Sequence, residues 1–252
     1  MLLPLKNEII YGPVRSRRLG RSLGINILAA GQKVCSFDCV YCQYGWGAPH
    51  GTQAVQNFVW PSAEDVKKAV EEALLNLPVS PAFITFSGNG EATLHPGFPE
   101  LVHEVIGLRD ALAPQAKTAI LSNSSLIADS RIRAALEKLD TKIMKLDCGC
   151  EETFAKYNHP ASGIGLDAIT SGLTQMPGVT IQALFSTGSS GNLSAKNIQA
   201  WIERLITIKP RFVQVYSLDR DAPDKDLRPA SKKDLAELRS LVIRAGIPAE
   251  FY

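Results

Sequence analysis

Apolar residues along this chain follow two alternating rhythms. Short runs such as Leu23-Gly24-Ile25-Asn26-Ile27-Leu28 and Ala82-Phe83-Ile84-Thr85-Phe86 are separated by longer stretches with helical spacing. Between Ser62 and Leu77, the positions of Val66, Ala69, Val70, Ala73 and Leu74 predict a helix, with Ser62 as its cap and Glu64 and Asp65 in the first turn. Further helices are predicted over residues 97–113, 130–139, 166–175, 195–208 and 232–245. Strands are predicted over 23–28, 82–86, 117–121, 142–146, 179–185 and 212–216. Six strands alternating with helices predict an α/β fold with a parallel sheet. No linker-like or low-complexity stretch interrupts the pattern. One domain over residues 1–252 is expected, with a basic N-terminal segment (1–22), a loop after the first strand (29–47) and a C-terminal extension (221–252).

Hydrophobic residues at 45% and charged residues at 21% are in globular proportion. The 252 residues leave room for a sizeable core. The opening stretch Met1-Leu2-Leu3-Pro4-Leu5-Lys6-Asn7-Glu8 is too short and too soon charged for a signal peptide, and no run approaches the roughly 18 apolar residues of a membrane span. A cytoplasmic location without a membrane partner is expected. Five cysteines, three of them close together, fit a reducing compartment with metal chemistry better than a disulfide framework. A net charge of +2 exerts no overall pull on nucleic acid, so any such partner must be held locally.

The three clustered thiols lie in Cys35-Ser36-Phe37-Asp38-Cys39-Val40-Tyr41-Cys42, just past the first predicted strand. Spacings of three and then two residues allow them to converge on one face of a cubane iron–sulfur cluster, leaving one iron without a protein ligand. The alternatives are three unrelated thiols or a zinc knuckle. Structural zinc normally takes four Cys or His ligands in paired spacing; His50 is in range but lacks that spacing. One βα unit later comes Ser87-Gly88-Asn89-Gly90-Glu91. Its glycines permit close backbone approach and its carbonyls can accept hydrogen bonds, although alone it reads as a strand-ending turn.

The cysteine run, with Tyr41 just before the third thiol, resembles the signature of the radical S-adenosylmethionine (SAM) enzymes. The glycine stretch is similar to that family's "GGE" motif, and six βα units match its partial (β/α)6 TIM-like barrel. The resemblance implies a [4Fe-4S] cluster on Cys35, Cys39 and Cys42. It also implies SAM on the open iron, reductive cleavage to a 5′-deoxyadenosyl radical, and hydrogen abstraction from an unidentified substrate. SAM contacts would come from Tyr41 beside the adenine, from Ser87, Gly88, Asn89, Gly90 and Glu91 on the methionine part, and from Ser122 and Asn123 on the ribose. Packing of the loop by Tyr41, and capping of a turn or helix by Ser122 and Asn123, are the plainer readings. An electron donor such as flavodoxin or ferredoxin is implied as a partner.

Within that family, residues 85–96, the arginine-rich N-terminal stretch and Val215-Tyr216-Ser217-Leu218-Asp219-Arg220 resemble a group of small iron–sulfur oxidoreductases. That group is related to the tRNA wyosine-base (4-demethylwyosine) synthases, which rearrange a modified guanine with pyruvate. The kinship implies a tRNA or small-molecule substrate. Wyosine synthases carry a second cluster on additional cysteines, for which Cys148 and Cys150, one residue apart, are a poor ligand set. A non-catalytic iron–sulfur electron-transfer or binding protein, or a zinc-stabilised domain, are alternatives of another class.

Catalytic candidates are Lys145, Asp147 and Cys148, at the predicted carboxyl end of the fourth strand, where barrel enzymes place their chemistry. A thiol there could donate a hydrogen atom, form a covalent intermediate or ligate a metal; inert burial is the alternative. Lys145 could bind a substrate carboxylate, form a Schiff base, or simply pair with Asp147. Since alternate strand residues share a face, Lys145 and Asp147 should point one way and Cys148 the other. Four arginines in seven residues, Arg15, Arg17, Arg18 and Arg21, could grip a polyanionic substrate or the SAM carboxylate, or form a solvated turn. His95 reads as an acid–base group or as one structural hydrogen bond. Asp219 and Arg220 read as a substrate rim or an internal ion pair. Trp46 and Trp60 are expected to shield the cluster loop, and residues 186–192 to form a flexible active-site loop.

Overall fold

Glycine and proline punctuate the first strands: β1 (Ile10–Ser16) turns back through Arg17 to Leu19 into β2 (Gly20–Ile25), pairing antiparallel with Ile10 opposite Ile25 and Ser16 opposite Gly20. This computed structural model describes residues 2–51 and 57–252. After the cysteine loop comes α1 (Ala63–Asn76), whose Ser62 cap and Asp65 form a reciprocal capping box. The chain continues through β3 (Phe83–Phe86), α2 (Phe98–Leu112), β4 (Lys117–Ser122), α3 (Ser130–Glu137) and β5 (Thr141–Lys145). Then follow α4 (Glu151–Asn158), α5 (Leu166–Thr174), β6 (Thr180–Leu184), β7 (Ser186–Thr187), α6 (Ala195–Ile208) and β8 (Phe212–Tyr216). The last elements are β9 (Arg228–Pro229), α7 (Lys232–Arg244) and β10 (Ala249–Phe251).

The main sheet runs β1-β2-β3-β4-β5-β6-β8-β10, parallel from β2 onward, while β7 and β9 form a small antiparallel pair. The central strands β2, β3, β4, β5, β6 and β8 are those of a partial (β/α)6 TIM-like barrel, with β1, paired to β2, and β10, paired to β8, as its edge strands.

The strands' two faces differ in chemistry, as period-two alternation requires. Leu23, Ile25, Ile84, Phe86, Ile120, Met144, Ile181, Val213 and Val215 are buried, most of them in the large core. The other face carries Ser22, Thr85, Lys145, Gln182, Gln214 and Tyr216 along with Ala119, Leu121, Ile143 and Leu184. These polar groups bond to one another: Ser22 to Thr85 at 2.7 Å, Gln182 to Gln214 at 3.4 Å, and Lys145 to the Tyr216 hydroxyl at 3.1 Å. At the barrel floor a small apolar plug of Leu19, Ala119 and Ile143 closes this face.

The structure adds detail to several expectations. The basic N-terminal segment (1–22) carries β1 and the start of β2, and the first predicted strand, 23–28, is observed as Gly20–Ile25. The C-terminal extension (221–252) holds α7 and the extra edge strand β10. Helix α4, eight residues long, was not predicted; Phe154, Tyr157 and Asn158 are its buried positions. The 186–192 loop is pinned: Ser186 pairs with Pro229, and the buried Asn192 amide reaches the carbonyls of Asp147 (2.8 Å) and Leu184 (2.9 Å). Among the described residues no helix is long and apolar enough to cross a membrane.

Candidate active site

The cysteine loop is stitched to the barrel on two sides. Against β3, Val34 forms a parallel bridge with Gly90: Val34 N–H donates to Asn89 O at 3.0 Å and Glu91 N–H to Val34 O at 2.9 Å. Against α4, Asp38 N–H donates to Asn158 O at 3.1 Å and Val40 N–H to Tyr157 O at 3.0 Å. Inside the loop, the Lys33 ammonium bridges the Asp38 carboxylate and the Gly45 carbonyl at 2.5 and 2.7 Å. Burial opposes that charge, but Cys42 and Asp38 outweigh it and hold the Lys33 pKa above its ordinary value.

This brings Cys35, Cys39 and Cys42, all free thiols, to one cavity of ≈300 Å3, which they line with Gly88, Gly90 and Lys145. Burial pushes the Cys35 thiol well above its usual range and raises Cys39 to about 11, so neither is a thiolate without a stronger partner. Among the described residues no three His, Cys, Asp or Glu side chains form a group that could hold a metal ion. The His50 ring instead packs edge-on to Phe58.

The glycine loop is tight for a reason internal to the protein. A Cβ at Gly90, where φ is 155°, would lie 1.9 Å from Val34 O, and one at Gly88 would lie 2.4 Å from Asn26 Oδ1. The Asn89 side-chain amide turns away from the cavity to Lys6 N (2.7 Å), Lys6 O (2.8 Å) and Ala29 O (3.3 Å). Ser87 faces a second, lateral cavity of ≈290 Å3, where its hydroxyl meets that of Tyr11. Glu91 lines the cysteine cavity with a carboxylate already engaged. It accepts from Thr93 N (3.1 Å), Thr93 Oγ1 (2.6 Å), Ser122 Oγ (2.9 Å) and the Asn123 backbone, and so locks the ends of β3 and β4 together. The Asn123 amide in turn donates to Ser36 Oγ at 2.9 Å and approaches Cys35 Sγ at 3.5 Å. Tyr41 lines both cavities, its ring 4.9 Å from that of Tyr157 and its hydroxyl donating to Asp147.

Of the catalytic candidates, Lys145 faces the cavity while Asp147 and Cys148 do not line it. Asp147 is 2% exposed and fully engaged: Oδ1 accepts from Leu184 N (2.8 Å) and lies 3.5 Å from Lys145 Nζ, while Oδ2 accepts from Tyr41 and from the Asn158 amide (2.8 Å). It is a buried junction rather than an available acid or base. Burial works against the Lys145 charge, but Asp147, Tyr216 and Cys39 outweigh it and hold its pKa above the lysine norm. Cys148, fully buried, points at Asn158 Oδ1 (3.5 Å), and burial drives its thiol well up. Cys150 lies against Thr153 and Asn197. The predicted directions of Lys145 and Cys148 hold, but the chain leaves the strand after Lys145, which carries Asp147 into the wall.

The remaining candidates sort simply. Both His95 nitrogens are engaged, with Pro61 O at 3.1 Å and Gly97 N at 3.0 Å, and burial lowers its pKa, so it is a structural histidine. Trp46 is 57% exposed, whereas Trp60 packs with Leu28, Ala29, Val34 and Leu94 beneath the loop. Arg15, Arg17 and Arg18 line the lateral cavity, and Arg21 is not among its walls. Across its mouth Arg17 pairs with Asp219 at 3.3 Å and Arg220 donates to Gln43 at 3.3 Å. Sequence reasoning missed Lys33, Asn158, Gln182 and Tyr216. Only the period-two placement of Lys145, Gln182 and Tyr216 on one face could have signalled the last two.

No described family profile matches the chain. A UPF0026 protein of Synechocystis sp. is 32% identical over 242 residues, which cover 95% of this chain and 82% of that protein. The chain belongs to the UPF0026 family. A UPF0026 protein of Methanocaldococcus jannaschii is 38% identical over 166 residues, 66% of this chain and 48% of that protein. A Brachyspira hyodysenteriae protein named GTPase Obg is 33% identical over 171 residues, 68% of this chain but 24% of its own length. The chain thus spans less than two thirds of these last two relatives. Among solved structures, this UPF0026 chain superimposes on Streptococcus suis SuiB bound to S-adenosylmethionine with a TM-score of 0.63 at 15% identity, covering 88% of this chain and 48% of that one. A radical SAM methyltransferase of Sphaerobacter thermophilus gives 0.62 at 14%, covering 92% and 65%. TYW1 with a lysine-pyruvate adduct gives 0.58 at 14%, covering 89% and 73%. At these identities the likeness establishes the shared fold, the partial barrel of the radical SAM enzymes.

Proposed function

We propose that this protein is a radical SAM enzyme that holds a [4Fe-4S] cluster on Cys35, Cys39 and Cys42 and binds SAM beside it. The observation that carries the reading is the convergence of three free thiols on one cavity at the carboxyl end of a partial parallel barrel, with the glycine loop as the adjoining wall. The donor set fits such a cluster. Three sulfurs are the number that leaves one iron of a cubane open, whereas structural zinc normally takes four Cys or His ligands. When bound, the cluster and SAM would supply reductive cleavage of SAM to a 5′-deoxyadenosyl radical and hydrogen abstraction from substrate.

The chain's own residues have distinct parts in this reading. Gly88 and Gly90 keep the loop backbone thin enough for the thiols and the β3 end to share a wall. Glu91 braces Ser122 and Asn123, which would face SAM as a preset polar edge. Tyr41 would present a ring to the cofactor while its hydroxyl stays tied to Asp147. Lys33 and Asp38 hold the loop closed against water. Anaerobic reconstitution followed by iron and sulfide analysis tests this reading. About four of each per chain, with methionine and 5′-deoxyadenosine formed from SAM on reduction, supports it. Zinc in place of iron, or an iron-loaded protein that leaves SAM intact, overturns it in favour of a zinc-stabilised domain or an electron-transfer protein respectively.

A wyosine-type reaction on tRNA is the second reading, favoured by Lys145 in the cavity and by the likeness to TYW1. Against it, Lys145 is held as an ammonium between Asp147 and Tyr216, and Cys148 is turned away from the cavity. Retained activity on mixed tRNA after charge reversal of Arg15, Arg17 and Arg18 would exclude these arginines as the tRNA grip.

A further inference from the structure

Arg18 enters the barrel while its neighbours Arg15 and Arg17 stay exposed. The hairpin turn that carries it is fixed from below: Leu19 sits in the floor plug with Ala119 and Ile143, and the Arg18 and Leu19 N–H groups both donate to Ser16 Oγ, at 3.2 and 3.1 Å. Its guanidinium carbon lies 4.7 Å from the centroid of the Tyr216 ring, the distance of a stacked cation–π pair. Tyr216 is the residue whose hydroxyl receives Lys145 at 3.1 Å. Arg18 therefore lies where the lateral cavity meets the cysteine cavity, and it lines both.

Its Nη1 is buried and, among the described residues, has no hydrogen-bond acceptor. Folded proteins rarely leave a buried donor unmatched, because the lost hydration is not replaced. The nearby carboxylates are already taken: Asp147 by Leu184, Tyr41 and Asn158, Glu91 by Thr93, Ser122 and Asn123, and Asp219 by Arg17. A guanidinium stacked by its face still offers its in-plane N–H fork, which matches the two oxygens of a carboxylate or phosphate. We propose that Arg18 binds an oxyanion of the substrate, a carboxylate or a phosphate, at the junction of the two cavities beside Tyr216 and Lys145. The substrate class is therefore an acidic small molecule or an acidic group that reaches in through the lateral cavity. This rests on the radical SAM reading only for where the reacting atom would lie.

The test uses the full chain, reconstituted, with and without SAM, titrated calorimetrically with inorganic phosphate and separately with acetate. Wild type should bind one of the two saturably, phosphate marking a phosphorylated substrate and acetate a carboxylate. Arg18→Gln should weaken that binding at least tenfold, with SAM affinity unchanged within twofold and a melting temperature no lower than wild type, which a purely structural arginine would not give. Arg18→Lys should also bind more weakly, since a single ammonium lacks the fork. Saturable binding of neither anion overturns the proposal, as does equal binding by Arg18→Gln. A SAM affinity that falls with Arg18→Gln overturns it by assigning Arg18 to the SAM carboxylate. If Arg18→Gln fails to fold, unchanged anion affinity in Arg18→Lys is the overturning result. An anion-binding protein that does not cleave SAM would sink the radical SAM reading and leave the anion site standing.

Discussion

The Val34 carbonyl oxygen occupies the space in which any residue other than glycine at position 90 would carry its Cβ, 1.9 Å away. That contact joins the cysteine loop to the end of β3. Gly90→Ala must both break the Val34–Gly90 bridge and hold a positive φ, so a loss of about 2–4 kcal/mol is expected. Urea unfolding would measure it, and the iron bound after reconstitution should fall with it. An alanine variant of unchanged stability and iron content would show that the loop is not held this way.

Glu91 gives a pH signature. Burial raises its carboxyl pKa above the glutamate norm, against four hydrogen bonds that lower it. The folded state thus holds the proton more tightly than the unfolded chain does. The contribution of Glu91 to stability is full below the ordinary glutamate pKa and is lost as pH rises through the raised value. Glu91→Gln should abolish that slope. It should also destabilise by about 1–3 kcal/mol, because its amide turns a donor toward donors. Unfolding free energies of both proteins from pH 4 to 8 provide the comparison, and parallel curves would contradict the assignment.

Removing Asp147 leaves the Lys145 charge buried without its partner. Asp147→Ala should cost about 3–5 kcal/mol, and Asp147→Ala combined with Lys145→Met should recover part of that loss. A strictly additive double variant, measured by denaturant unfolding, would mean the pair is not coupled. Lys145→Met alone tests its role at the substrate: full turnover, once a substrate is known, would leave it a structural cation.

Cys148→Ala and Cys150→Ala should keep the iron and sulfide content of the wild type, whereas Cys35→Ala, Cys39→Ala and Cys42→Ala should each lose it. A wild-type content near eight of each, twice that of one cubane, falling in the Cys148 and Cys150 variants, would give those thiols a second cluster and move the wyosine-type reaction forward.

Much of the architecture was legible in the sequence because helix and strand periodicities are local. The Ser62 cap, strands β3, β4, β5, β6 and β8 and the long helices lie within a residue or two of their expected places. The hairpin strand β1 was hidden because its residues, IYGPVRS, alternate weakly and carry proline and arginine. Helix α4 is only eight residues long and too mixed in polarity to show a face. At the candidate site the thiols and glycines could be read from spacing alone. The fates of Asn89, Asp147 and Cys148 could not, because each is decided by partners distant in sequence: Lys6, Leu184 and Asn158.

The division of labour between the two faces of the barrel strands bears on how such a protein diverges. Residues that keep the chain folded, such as Ile25, Phe86, Ile120 and Val213, alternate with Thr85, Lys145, Gln182 and Tyr216, which face the interior. A substitution in the second set leaves the apolar core filled. Because those interior groups bond to one another, Ser22 to Thr85, Gln182 to Gln214 and Lys145 to Tyr216, lasting change there must come as matched sets rather than one residue at a time.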